Sequence, residues 1–141
     1  MMRITNIDLQ CEDIMWFAVD KNGYVVEFTS GGIGNVPEFV CADREENDFL
    51  EDYFMNKLAE TTAEKLIVPY EDNDLINDAV VLSRKGIFCF DASGDSYDKL
   101  SMPEAPLNAK NLPSDIRKIL LNRILDIDVA VEDTVEVEHA Y

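Results

Sequence analysis

Histidine is the scarcest reactive residue of this sequence, which contains one, His139, close to the carboxyl end. A Ser–His–Asp or Cys–His mechanism would have to use that residue, because no other side chain titrates near neutral pH without strong perturbation. Residues close to a chain end are often loosely held, and we therefore expect His139 to lie in a frayed tail. The sequence thus disfavours histidine-dependent catalysis and assigns no catalytic residue.

Cysteine is also sparse, and Cys11, Cys41 and Cys89 are odd in number and far apart. This usage is typical of reduced thiols in a cytoplasm and not of a disulfide framework. No two of them have the short spacing of a structural zinc site. A glycine-rich loop at residues 30–34 lacks the lysine and the following helix of a phosphate-binding loop. We therefore predict a cytoplasmic protein without a metal or a cofactor.

Long apolar runs and basic residues are scarce as well. No segment approaches the roughly 18 apolar residues of a membrane-spanning helix, and the first residues lack the pattern of a secretory signal. Twelve lysines and arginines stand against 29 aspartates and glutamates, which gives a net charge of −17. Such a charge opposes binding to nucleic acids and to anionic membranes, and it attracts basic proteins. The alternative is that the acidity only maintains solubility.

The 141 residues, 47% of them hydrophobic, fit one domain spanning 1–141 with a core of its own. Residues 14–19 and 24–29 are rich in strand-forming side chains, and Asp20 and Gly23 between them are typical turn residues. We therefore predict a β-hairpin. The first of these strands does not alternate between apolar and polar side chains. It is predicted to be a central strand, covered on both faces.

Three segments have the apolar spacing of helices. The first begins after Asp43, which can cap it. The second runs from residue 74 to residue 84, between a cap at Asn73 and a stop at Gly86. The third runs from residue 114 to about residue 125.

The remaining segments complete the predicted fold. Residues 87–90 are a short buried strand, residues 91–112 have few regular signals, and residues 126–141 are an edge strand or a partly ordered tail. The fold class is α+β, with a mainly antiparallel sheet, an N-terminal hairpin and about three helices packed on it.

Acidic residues are concentrated in the first predicted helix and in the segment after it. Residues 43–78 contain twelve acids and three bases, a local net charge of −9. Such clustering suits docking to a basic protein, although a solvated helix face is the simpler interpretation. The predicted partner-binding residues are the acids at the start of this helix: Asp43, Glu45, Glu46, Asp48, Glu51 and Asp52.

The leading hypothesis from these features is a non-enzymatic protein-binding domain, and a second is a small hydrolase using a pair of carboxylates, with or without a divalent metal ion. The 29 acids offer many such pairs. The structural sign of a hydrolase would be a concave pocket with converging acids whose pKa values are raised. A third hypothesis is a homo-oligomer joined through aromatic residues such as Tyr53 or Tyr97, and the oligomeric state stays open.

A resemblance to known proteins rests on turn and strand segments. These are residues 16–23, 28–32 and 36–37, followed by residues 85–88, Tyr97, Pro103, residues 106–107 and residues 112–113. Taken together, residues 14–125 resemble a group of small acidic bacterial proteins, some of which are similar to immunity proteins of polymorphic toxin systems. The resemblance implies an immunity-type inhibitor that covers a basic effector. It carries over no catalytic residue.

Overall fold

A six-stranded β-sheet forms the centre of the fold in a computed structural model that describes residues 2–141. Its strands are β1 (Met15–Val19), β2 (Val25–Thr29), β3 (Glu64–Leu66), β4 (Phe88–Ser93), β5 (Ser96–Pro103) and β6 (Thr134–Glu136). They lie in the order β1-β2-β4-β5-β3, and β6 also pairs with β5. With the helices described below, the fold is α+β, as predicted.

The sheet is mixed in strand direction. Strands β2 and β4 run parallel, whereas the other four pairs are antiparallel. The predicted antiparallel character therefore holds for most of the sheet and fails at its middle. A parallel pair needs a long crossover, and the residues between β2 and β4 supply it.

The hairpin of β1 and β2 is confirmed. Asp20 Oδ1 accepts hydrogen bonds from the backbone N–H groups of Asn22 and Tyr24, both at 2.9 Å, and Gly23 has a φ of 86°. The predicted central position of β1 is wrong, because β1 lies at the edge of the sheet. Its residues 16–19 are nonetheless buried. The continuous apolar run indicated that both faces of β1 are covered. It did not indicate whether the strand lies at the centre or at the edge of the sheet.

Five α-helices are present in residues 2–141: α1 (Asn6–Cys11), α2 (Glu38–Cys41), α3 (Arg44–Asp52), α4 (Asp74–Arg84) and α5 (Ser114–Leu120). The three predicted helices correspond to α3, α4 and α5, and the two short ones were not predicted. Helix α5 ends before residue 125, because the Arg123 carbonyl and the Leu125 N–H bond instead to the backbone of Val19. No helix in the described chain is both long and apolar enough to cross a bilayer.

Apolar side chains cover both faces of the sheet. Successive strand residues point to opposite faces, and two separate clusters result. One, the aromatic face, has its largest side chains at Trp16, Phe28, Phe88, Phe90 and Tyr97. The other, the helical face, joins the sheet to α3, α4 and α5 through Phe17, Val25, Cys89, Leu50, Leu82 and Ile116.

The carboxyl-terminal residues are held against the rest of the fold. Strand β6 pairs with β5, the Val36 N–H donates to His139 Nδ1 at 3.0 Å, and the Tyr141 hydroxyl donates to the Ile4 carbonyl. His139 thus has a fixed backbone partner and does not lie in the frayed tail that its position in the sequence predicts.

Candidate functional site: an acidic pocket

The feature with the most concentrated charge is a cavity of about 270 Å³ between the sheet and helices α3 and α4. We call it the acidic pocket. It is lined by Asp13, Met15, Glu27, Thr29, Glu51, Asp74, Leu75, Asp78 and Ala79. Five of these nine residues carry a carboxyl group, and none carries the positive charge of lysine, arginine or histidine.

The strand and helix periods bring these residues together. Val25, Glu27 and Thr29 alternate along β2 and share the helical face, so Glu27 continues an apolar row. Asp74 and Asp78 lie four residues apart at the start of α4, and such residues share one side of a helix. The positive end of the α4 dipole favours acids there. Glu51 comes from the last turn of α3.

Glu27 forms the base of the acidic pocket. It is only 2% exposed, and its Oε2 accepts a hydrogen bond from Thr29 Oγ1 at 2.7 Å. Burial, helped by the negative charges of Asp78 and Asp13, raises the pKa of Glu27 to about 8. At neutral pH this carboxyl is therefore mostly protonated.

Two further acids of the acidic pocket are perturbed in the same direction. Burial and then the charge of Asp48 raise the pKa of Glu51, and burial and then Asp74 raise the pKa of Asp78. No lining residue is basic, so the negative charges are compensated by solvent, by protons, by the start of α4 and by the Gly31 N–H, which donates to Asp13 Oδ1 at 2.8 Å. A cation that entered the pocket would relieve both the desolvation and the mutual repulsion.

Three of the predicted partner-binding residues have contacts within the fold. Asp43 caps α3, accepting a hydrogen bond from the Glu46 N–H at 3.2 Å. Glu46 Oε1 is 3.3 Å from Arg123 Nη2, and the Arg123 side chain is completely buried. Asp52 pairs with Lys57 at 3.3 Å. These contacts use the carboxylates within the fold.

The other three predicted residues remain available to a partner. Glu45 and Asp48 are exposed, and neither carboxylate enters a hydrogen bond or an ion pair within residues 2–141. Glu51 is half-buried and faces the acidic pocket. Spacings of three residues place Glu45, Asp48 and Glu51 along one side of α3. The exposed Glu45 and Asp48 therefore lie on the same side of the helix as the pocket residue Glu51.

Sequence reasoning missed the pocket residues Asp13, Glu27, Asp74 and Asp78. One signal was present, because Glu27 interrupts the otherwise apolar run at residues 25–28. Charged residues are rarely buried without a partner, so an acid in a strand buried on both faces marks an unusual position. Its acidic neighbours come from α3, from α4 and from the segment that precedes β1, and the sequence gives no sign of that proximity.

A larger cavity of about 560 Å³ lies between β6, α2 and residues 124–127. Its floor is apolar, with Phe39 and Val137 among the lining residues, and its acids lie on the exposed rim. One of these acids, Glu38, already binds Arg3 through two hydrogen bonds of 2.6 Å. The charge at this cavity is thus more exposed and partly neutralised, in contrast to the acidic pocket.

Neither a metal-binding cluster nor a known relative identifies the role of this site. Within residues 2–141, no three histidine, cysteine or carboxylate side chains are grouped so that they could hold a metal ion. No family model, curated protein or solved structure matches this chain.

Proposed function

We propose that this chain is a non-enzymatic protein-binding domain that docks on a basic protein through an acidic face. The acidic face consists of Glu45 and Asp48 on α3 together with the acidic pocket. An immunity-type inhibitor that covers a basic toxin is the form of this function that the sequence resemblance implies.

One observation carries the proposal: five carboxyl groups converge on a concavity whose lining contains no positive charge. In an isolated domain this arrangement costs free energy, as the raised pKa values of Glu27, Glu51 and Asp78 indicate. A partner that brings positive charge recovers that cost on binding. The net charge of −17 adds long-range attraction, which accelerates encounter.

The proposal is tested by charge reversal at two exposed positions of the acidic face. A basic protein that is retained by this chain at low salt is purified, and its affinity is measured by surface plasmon resonance at several salt concentrations. The double variant Glu45→Lys/Asp48→Lys should weaken the affinity by tenfold or more and flatten its salt dependence. Both side chains are exposed, and neither carboxylate enters a hydrogen bond or an ion pair within residues 2–141, so the fold should be retained.

The matched control is Asp95→Lys/Glu104→Lys, which changes the net charge equally at exposed positions outside the acidic face. It should weaken the affinity by much less. An equal loss in the two double variants would show that only net charge matters, and it would overturn the assignment of this face.

A small carboxylate hydrolase is the second candidate, favoured by the convergence of a protonated Glu27 with other acids. A hydrolase must also bind its substrate and stabilise developing negative charge. Among the nine lining residues, Thr29 is the only side-chain donor apart from a protonated carboxyl, and no aromatic ring is present. Hydrolysis of chromogenic glycosides or esters that disappears in Glu27→Gln would favour this candidate over docking.

A further inference from the structure

We propose that the acidic pocket takes up one long cationic side chain, a lysine or an arginine of the partner, and that Glu27 releases its proton when this side chain enters. The inference rests on the proposed docking function, and it names the chemical group that the pocket recognises.

The dimensions of the acidic pocket fit a single extended side chain. A volume of 270 Å³ corresponds to about nine water-sized groups, which is enough for one lysine or arginine side chain. Three lining residues, Met15, Leu75 and Ala79, are apolar. They match the methylene stem of such a side chain, whose charged head would lie among the carboxylates.

Glu27 provides the deepest acceptor. Its side chain is almost wholly buried and faces the cavity. Thr29 donates to Oε2, the Cys89 thiol also interacts with this carboxyl, and no nitrogen or oxygen donor within residues 2–141 bonds to Oε1. An ammonium or guanidinium group donates several hydrogen bonds in a short range, so Oε1 and the surrounding carboxylates offer it matching acceptors.

The titratable side chains that face Glu27 from the neighbouring elements are all acids or a thiol. Asp13 precedes β1, Cys89 and Asp91 lie on β4, Glu51 lies on α3 with Asp48 behind it, and Asp74 and Asp78 lie on α4. Before binding, Glu27 is mostly protonated at neutral pH, because burial and then the charges of Asp78, Asp13 and Asp91 disfavour its ionised form. An adjacent cation reverses this preference. The proton then leaves to solvent, and the side chain is held by an ionised carboxylate.

The test uses n-butylguanidine as a guanidinium probe and n-pentylamine as an ammonium probe, with n-pentanol as an uncharged control of similar length. Glu27 is followed by carbon-13 NMR of its side-chain carboxyl during a pH titration of the intact protein. Either cationic probe should lower the pKa of Glu27 by at least one unit, and n-pentanol should leave it unchanged. Calorimetry in buffers of different ionisation enthalpy should show release of a proton near pH 7.

Two variants complete the design. Glu27→Gln should bind n-butylguanidine at least tenfold more weakly at pH 8 and lose most of the pH dependence, whereas Glu104→Gln, an exposed acid outside the pocket, should bind as the parent does. If Glu27→Gln does not fold, Asp78→Asn serves in its place with a smaller loss. The inference is overturned if the cationic probes leave the Glu27 titration unchanged, or if calcium or magnesium shifts it at concentrations where the amines do not.

A result that contradicts the insertion of a cationic side chain can be distinguished from one that contradicts the docking function. Probes that titrate Glu27, combined with unchanged partner affinity in Glu45→Lys/Asp48→Lys, would retain the pocket and remove the docking face. The opposite pair of results would retain the docking face and remove the insertion of a side chain.

Discussion

The two faces of the sheet differ along strand β2. On the aromatic face, Phe28 is enclosed by Trp16, with ring centroids 4.2 Å apart, and by Phe90 and Tyr97 at 5.5 and 4.9 Å. On the helical face lies the adjacent residue of the same strand, Glu27, which faces a cavity. The same strand therefore completes the core on one side and forms the base of the acidic pocket on the other.

The two faces differ in packing and in buried charge at β2. Close packing of apolar rings stabilises a fold, whereas a buried acid without a positive partner destabilises it. Proteins retain such strain mainly at sites that bind or react. Both faces contribute an apolar cluster to the core, and the helical face differs in also holding a buried acid, Glu27.

The largest expected effect comes from breaking the aromatic face. Phe28→Ala removes a fully buried ring that touches three other aromatic residues, and we expect the free energy of unfolding to fall by about 3–5 kcal/mol. Urea denaturation followed by tryptophan fluorescence measures the loss, since Trp16 stacks on Phe28. Phe49→Ala, at a position that is 43% exposed, is the control and should change stability much less. Similar losses in both variants would contradict the assignment of the core.

Local signals in the sequence are sufficient to predict much of this architecture. Helix α4 has the predicted bounds, because the Asn73 side chain caps it and Gly86, with a φ of 95°, follows its end. Strand β5 was missed. Its polar residues, such as Lys99 and Ser101, are buried between neighbouring strands, and only the assembled sheet makes that burial possible.

The candidate site was predictable only in part, for a related reason. The acids of α3 are visible in the sequence, but Arg123, 77 residues further along, engages Glu46. That contact divides the predicted surface into structural and exposed acids. Conversely, Asp13 and Asp78 come close to Glu27 only because α4 and the segment before β1 pack next to β2 in the folded chain. Charge density along the chain therefore indicated an acidic surface, but it did not identify the residues that line the pocket.

A smaller effect is expected from the charge of Glu27, and it depends on pH. Its pKa is about 8 in the fold against an ordinary value of 4.5, so between these values the folded state holds a proton that the unfolded state has lost. The free energy of unfolding should therefore fall as pH rises, by about 1.4 kcal/mol per pH unit for one proton. Glu27→Gln cannot release this proton, and its stability should decline less between pH 6 and pH 8.

Urea denaturation of both proteins at pH 6, 7 and 8 measures the two slopes. The parent should lose about 2–3 kcal/mol more than the variant over this range. Parallel slopes would contradict a buried, protonated Glu27 and would remove the physical contrast between the two faces of the sheet.

The smallest expected effect concerns the single hydrogen bond that Glu27 accepts. Thr29→Val removes the hydroxyl that donates to Glu27 Oε2 at 2.7 Å and keeps a side chain of similar shape. Because this bond favours the ionised carboxylate, its loss should raise the pKa of Glu27 further above about 8. Stability at neutral pH should fall by about 1 kcal/mol, the usual net value of one hydrogen bond. Carbon-13 NMR of the Glu27 carboxyl measures the first effect, and urea denaturation the second.

Thr134→Val supplies a matched control, since Thr134 Oγ1 donates to Asp98 Oδ1 at 2.9 Å in an exposed threonine–carboxylate pair. Water replaces that bond readily, so this variant should leave the Glu27 titration unchanged and cost less stability. A Glu27 titration that is identical in Thr29→Val and in the parent would show that the hydroxyl does not bond to this carboxyl in solution. The base of the acidic pocket would then be more hydrated than its burial indicates, and the contrast with the closed aromatic face would weaken accordingly.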